Sequence, residues 1–301
     1  MTTPRGLCFL LSLSLFAVLV AATLRTQSLE GVTDIHIHCD PDSMPRAVDA
    51  LEAARLGRQH GMRAIVLKNH HEPTAGLAWL ARQQNPGIEV FGGIALNLTV
   101  GGINAAAVER MTRVKGGYGR IVWMPTFDAE NAVRRSGEAR AFVPVAKSGR
   151  LLPEVAQVLD LVARHKLVLA TGHSSPAENL LLIREARKRG IQGILVTHPT
   201  ADPIFMSAAE VKEAAGLGAF IEFTYQALIA AKPLTIADYA ASISAAGVEH
   251  CILVSDLGQA GNPLPTDGFR EFIRKLRDAG FSAAGIDRMA KHNPARLLSL
   301  E

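Results

Sequence analysis

Eight short apolar runs, each followed by a helix-like segment, limit what this 301-residue chain can fold into. The runs are the stretch around Asp34–His38, then Met62–Lys68, Ile88–Asn97, Arg120–Met124, Leu167–Thr171, Gly193–Thr197, Ala219–Phe223 and Cys251–Ser255. Between them lie amphipathic segments such as Ala47–His60, Pro153–His165, Ala177–Lys188 and Ile236–Ala246. Near-continuous apolar strands alternating with helices indicate a parallel sheet covered on both faces, and eight such units indicate an α/β fold, a (β/α)8 barrel in one domain. An open doubly wound sheet is the alternative, but no Gly-x-Gly-x-x-Gly turn follows the first run. Only Thr126 to about Leu151 breaks the rhythm, and a short hairpin over Ala141–Val145 with a turn at Ser148-Gly149 is expected there.

The polar residues that interrupt these runs gather at their C-terminal ends, where barrel enzymes carry their sites. In Asp34-Ile35-His36-Ile37-His38, apolar and polar positions alternate. His36 and His38 should therefore share one strand face about 7 Å apart, with the isoleucines turned the other way. Two imidazoles so placed can grip one metal ion; a hydrogen-bonded core pair is the plainer alternative. Lys68 and His70 end the second run, His173 the fifth, His198 the sixth and Asp256 the eighth. One strand-end histidine would mean little. Five metal-capable groups on four strand ends favour a site. His60, His165 and His250 fall at the opposite rim and are set aside.

Composition narrows the partners. Lys and Arg total 32 against 28 Asp and Glu, and the basic residues are scattered through helices with few aromatics among them, so nucleic-acid binding is not expected. Residues 1–30 form a separate unit: Arg5, an uncharged apolar run over Leu7–Thr23 and small residues at Val20-Ala21-Ala22. This suits a secretory signal peptide, or a membrane anchor if uncleaved, and so an exported barrel over residues 31–301. Cys39 and Cys251 would sit at opposite ends of a parallel sheet, so two free thiols are expected.

The order His-x-His, His, His, Asp on runs one, five, six and eight resembles the amidohydrolase superfamily of metal-dependent hydrolases. So does the ending His292-Asn293-Pro294-Ala295-Arg296. More narrowly, Lys68-x-His70, Gly92-Gly93-Ile94-Ala95-Leu96-Asn97, Val122-Trp123-Met124-Pro125-Thr126 and Ala170-Thr171-Gly172-His173 resemble an uncharacterised amidohydrolase-like family, which carries no activity with it. The resemblance implies His36, His38 and His173 holding a divalent ion, Zn²⁺ or similar. His198 would be a further ligand or an oxyanion stabiliser, and Asp256 a ligand and the acceptor of the attacking water's proton. One feature departs from it. Binuclear members bridge their metals from strand four, which here ends Trp123-Met124-Pro125. Lys68 could stand in, with His70 and His71 near a second metal or substrate; otherwise Lys68 anchors substrate and one ion is bound.

Arg46, Asn97 and Glu222 are candidate substrate contacts. The expected activity is hydrolysis of a C–N or C–O bond in a small amide, cyclic amide, ester or lactone. The alternatives are a mononuclear decarboxylase with Arg46 as clamp, a phosphotriesterase-like hydrolase if Lys68 bridges, and a non-catalytic metal-binding barrel. Homo-oligomerisation stays open.

Overall fold

A computed structural model describes residues 28–300. The expected leader over residues 1–30 lies almost wholly outside the described residues. Packing starts a little before the expected boundary, since Leu29 is already buried. No described helix is long and apolar enough to cross a membrane.

Eight strands pair in parallel in chain order: Thr33–Ile37, Ala64–Leu67, Glu89–Ala95, Gly119–Trp123, Val168–Ala170, Ile194–Val196, Phe220–Thr224 and Cys251–Val254, here strands one to eight. Strand eight returns to strand one through a parallel bridge between Ile37 and Leu257. His38 N donates to Leu257 O at 2.8 Å and Asp256 N to His36 O at 2.9 Å. The sheet thus closes into the expected (β/α)8 barrel, which removes the exposed edges an open sheet would leave.

Two apolar layers hold it. The outer one lies between strands and helices; the inner one fills the barrel with Ile35, Val66, Phe91, Ile121, Trp123, Val168, Leu195, Phe220 and Ile252 among others. Helix starts carry the side chains that satisfy their first N–H groups. Ser175, Ser207 and Thr235 each form a capping box with the acidic residue three positions on.

The main local correction falls on strand one. Asp34 pairs with Ile65 but Ile37 with Leu67, so two residues, Ile35 and His36, lie opposite Val66. This extra residue is a bulge, the device by which a strand beside a site re-aims a side chain. As a result Ile35 packs inside the barrel and Ile37 outside. The two isoleucines do not share a face as simple alternation requires. The Thr126–Leu151 excursion also differs: it holds a helix at Glu130–Ser136 and a hairpin pairing Ala146–Lys147 with Arg150–Leu151. The turn is at Ser148-Gly149 as expected, both at positive φ, but the strands sit closer to it than Ala141–Val145. The helix is seven residues long with one buried side chain, Val133, too little for a periodic signal.

Candidate metal and catalytic site

The bulge brings His36 and His38 to the seam where strand eight meets strand one. His36 Nε2 lies 3.1 Å and His38 Nε2 3.0 Å from one oxygen, Asp256 Oδ1. Potential ligand atoms of His36, His38 and Asp256 all fall within 4.8 Å of one another, and all three residues are buried. Asp256 and His198 both hold positive φ, 52° and 21°. For side chains other than glycine that conformation is strained and persists where surrounding structure imposes it, often at a site.

Glu222 inside strand seven orients the donors. Its Oε1 shares a hydrogen bond with His36 Nδ1 at 2.9 Å and its Oε2 accepts from the backbone N–H of His198 at 3.0 Å. With the Nδ1 proton given to Glu222, His36 Nε2 carries a lone pair 3.1 Å from Asp256 Oδ1. Nε2 makes no hydrogen bond there despite the 3.1 Å separation, because the direction is wrong for one. A nitrogen lone pair and a carboxylate oxygen so close, with no proton between them, suit a cation. His38 Nδ1 and His198 Nδ1 are also buried without partners. The residues present therefore fit a divalent ion.

Electrostatics agree with ligand chemistry. Burial lowers His36 and His38 to about 3, so both imidazoles stay neutral in ordinary buffers. Burial alone would raise Asp256, but His36, His38 and His198 outweigh it and hold the carboxyl well below its usual range. Burial pushes Glu222 up to about 7, opposed by His198. Asp34, on the same seam, is also pushed up to about 7 by burial, although Ser255 and His36 donate to it.

A cavity of about 230 Å³ opens above the seam, lined by His38, Lys68, His70, Phe127, His173, His198, Thr224, Gln226, Asp256 and Gln259 with Ala201 and Asp202. Its size suits a small reacting group. His173 and His198 lie with ring centroids 5.0 Å apart, and His198 is 6.3 Å from His36. They flank the three-residue donor group without joining it. His70 is stacked between His38, 4.9 Å away, and Phe127, 3.8 Å away, with Nδ1 on Thr126 Oγ1 at 2.9 Å. Lys68 is buried with Nζ 5.9 Å above the Trp123 ring; burial lowers it to about 8, opposed by Asp256 and Glu222.

Several candidates lie elsewhere. The Arg46 guanidinium is held by Asp42, at 2.7 Å through Nε and 2.5 Å through Nη2, and does not line the cavity. Asn97 is buried and fully engaged, donating to His70 O and Thr126 Oγ1 and accepting from the N–H groups of Thr126 and Asp128. It braces loops rather than facing a ligand. Glu222 does not line the cavity and instead holds the His36 ring and the His198 backbone. His71 stands outside the cavity lining, beside Phe127. His60, His165 and His250 also lie outside it, His60 against Arg270 and His165 against Glu109. Both cysteines are free; burial pushes Cys39 up to about 12, which makes a reactive thiolate there unfavourable. Asp34, Phe127, Gln226 and Gln259 carried no sequence signal. Only Asp34, next to the His-x-His pair, could have been suspected.

Residues 31–222 match the model of a family described as a family of unknown function (DUF6282). A search of curated proteins finds no match. Similar solved structures include the organophosphorus hydrolase from Deinococcus radiodurans, 14% identical, covering 91% of this chain and 93% of that one with a TM-score of 0.60. An amidohydrolase from Pseudomonas aeruginosa is 14% identical, covering 89% and 95% at a TM-score of 0.61. A mutant of a PTE-like lactonase from Deinococcus radiodurans is also 14% identical, covering 91% and 97% at 0.61. At such identity the likeness is one of fold.

Proposed function

The chain belongs to this family of unknown function, DUF6282, and from its site we propose that it is a metal-dependent hydrolase of a small carbonyl or phosphoryl compound. One observation carries the reading: buried His36 Nε2, its ring held at Nδ1 by Glu222, lies 3.1 Å from Asp256 Oδ1 without a hydrogen bond to it, and His38 reaches the same oxygen. A divalent ion bound by that imidazole–carboxylate set, such as Zn²⁺, would polarise the scissile bond and lower the pKa of water at the site. We take one ion, since among the described residues a single donor group of three is gathered.

The chain's own groups supply the rest. His36 and His38 stay neutral above about pH 3 and keep their lone pairs for binding. Asp256 accepts the proton of the attacking water and passes it to the leaving group. His198 and His173, on the cavity wall, face the oxygen that gains charge, and Lys68 adds a cation beside them. The small cavity and the lactonase and organophosphorus hydrolase neighbours make lactones, aryl esters and phosphotriesters the first compounds to try, with amides next. The candidate clamp that would favour decarboxylation, Arg46, is already held by Asp42. Metal per chain and hydrolysis of such a panel, before and after chelation, test the reading. Turnover that survives complete removal of metal would refute it.

A further inference from the structure

The small cavity does not end at its own walls. Ala201, Asp202 and Gln226 also line a second, larger groove of about 670 Å³, so the two spaces share a neck at the C-terminal rim. Beyond the neck the groove is bounded by Arg135, Phe205, Lys232, Leu234 and alanine side chains. Its chemistry is unlike that of the cavity. Phe205 is 48% exposed and sits at φ 55°, a conformation that is strained for a bulky side chain, and it is the one aromatic among the exposed large hydrophobics of the described residues. Arg135 lies over that ring, 4.6 Å from its centroid. The adjacent Arg134 pairs with Glu130 at 2.6 Å, whereas among the described residues neither Arg135 nor Lys232 has a carboxylate within 4.0 Å. Two cations without counter-ions, an exposed ring and an aliphatic wall thus stand together at the mouth of the proposed site. Asp202 at the neck keeps an anion from the entrance itself and leaves the outer end as the place for one.

We propose that this groove is a second subsite, which binds the non-reacting end of the substrate: an apolar or aromatic arm that ends in a carboxylate or similar anion. The arm would lie against Phe205 and Leu234 and the anion between Arg135 and Lys232, while the scissile group enters the inner cavity. This rests on the hydrolase reading for which end reacts. Binding by the groove is measurable without turnover, so failure of one idea is distinguishable from failure of the other.

The test is calorimetric titration of the full-length protein with 4-phenylbutyrate and its uncharged counterpart 4-phenylbutanol. The parent protein should prefer the acid by about tenfold, the scale of two partly exposed ion pairs. The Arg135→Ala/Lys232→Ala double variant should lose the preference, and Phe205→Ala should weaken both compounds alike. All three substitutions are at the surface, and thermal melts should match the parent. Equal affinity for acid and alcohol in the parent, no binding of the acid at millimolar concentration, or a preference that survives the double variant but vanishes in Lys68→Ala would each overturn the subsite. The last result would put the anion in the inner cavity instead.

Discussion

The two halves of the barrel wall are built from the same kind of strand, yet only one carries fully buried ionisable side chains within it; Glu89 and Arg120, in strands three and four, are partly exposed. Strands seven, eight, one and two place Glu222, His36 and Asp34 inside the strands, with Asp256, His38 and Lys68 at their ends. Strands three to six fill the same interior with Phe91, Ile121, Trp123, Val168 and Leu195, and their histidines, His173 and His198, stand on loops past the strand ends. Trp123 closes that half. A Cβ at Gly93 would lie 2.2 Å from Ile121 O and 2.5 Å from Trp123 Cζ3, so the neighbouring strand gives up its side chain to admit the indole. The apolar half leaves no ligand on strand four, so the donors collect against the seam.

If the seam alone holds the ion, replacing His36 and His38 together by Ala should abolish metal binding and turnover, while the barrel, closed by backbone pairing, still folds. Full metal content in the double variant would end the hydrolase proposal. Asp256→Asn comes next. It should keep much of the metal and lose roughly 10²- to 10⁴-fold in turnover, the loss expected for a positioned proton acceptor. Wild-type turnover in a fully metallated variant would remove that role. Glu222→Gln should act through His36: an amide cannot accept from both His36 Nδ1 and the His198 N–H, so metal affinity should fall about 10- to 100-fold. An unchanged affinity would show that Glu222 does not orient the ligand.

The pH dependence separates the halves differently. In the metal-free protein His36 and His38, at about 3 against an unfolded value near 6.5, favour folding fully above pH 6.5 and lose that contribution as pH falls towards 3. The other buried histidines act in the same direction; Asp34 and Glu222, raised to about 7, oppose them between about pH 4 and 7. Denaturation midpoints after chelation should therefore drop below about pH 6.5, and the loss should shrink in the His36→Ala/His38→Ala variant. The same steep loss in that variant would place its origin elsewhere.

Much of this was legible in the sequence for a physical reason. Strand number and order follow from apolar runs that need no partner information, and site residues at strand ends announce themselves by interrupting those runs. What stayed hidden depends on contacts distant in sequence. The bulge at Ile35–His36 exists only relative to Val66, so strict alternation misplaced Ile35. Glu222 looked like a strand-end substrate contact, but its partners are 186 and 24 residues away. Arg46 is the local exception: Asp42, which holds its guanidinium, is only four residues away, and nothing in the residue pattern shows that the loop between them brings the two together. Phe127 and Gln259 become cavity walls only when their loops fold over the rim.

The smallest expected effect is on the apolar half. Trp123 is fully buried and 6.2 Å from the His36 ring, near enough to matter if strand four belonged to the site. Its Nε1 has no hydrogen-bond partner, so Trp123→Phe removes an unsatisfied buried donor as well as packing. The relief offsets part of the void, and the net loss should be about 2 kcal/mol, less than a truncation to alanine would cost. Metal per chain and affinity should not change, because the nearest donors are oriented by Glu222 and not by the indole. A thermal melt and a metal titration on one preparation give both quantities. Lost stability with intact metal sustains the division of the barrel into a binding half and a packing half. If metal is lost while the melt is unchanged, strand four helps to form the site and the division fails.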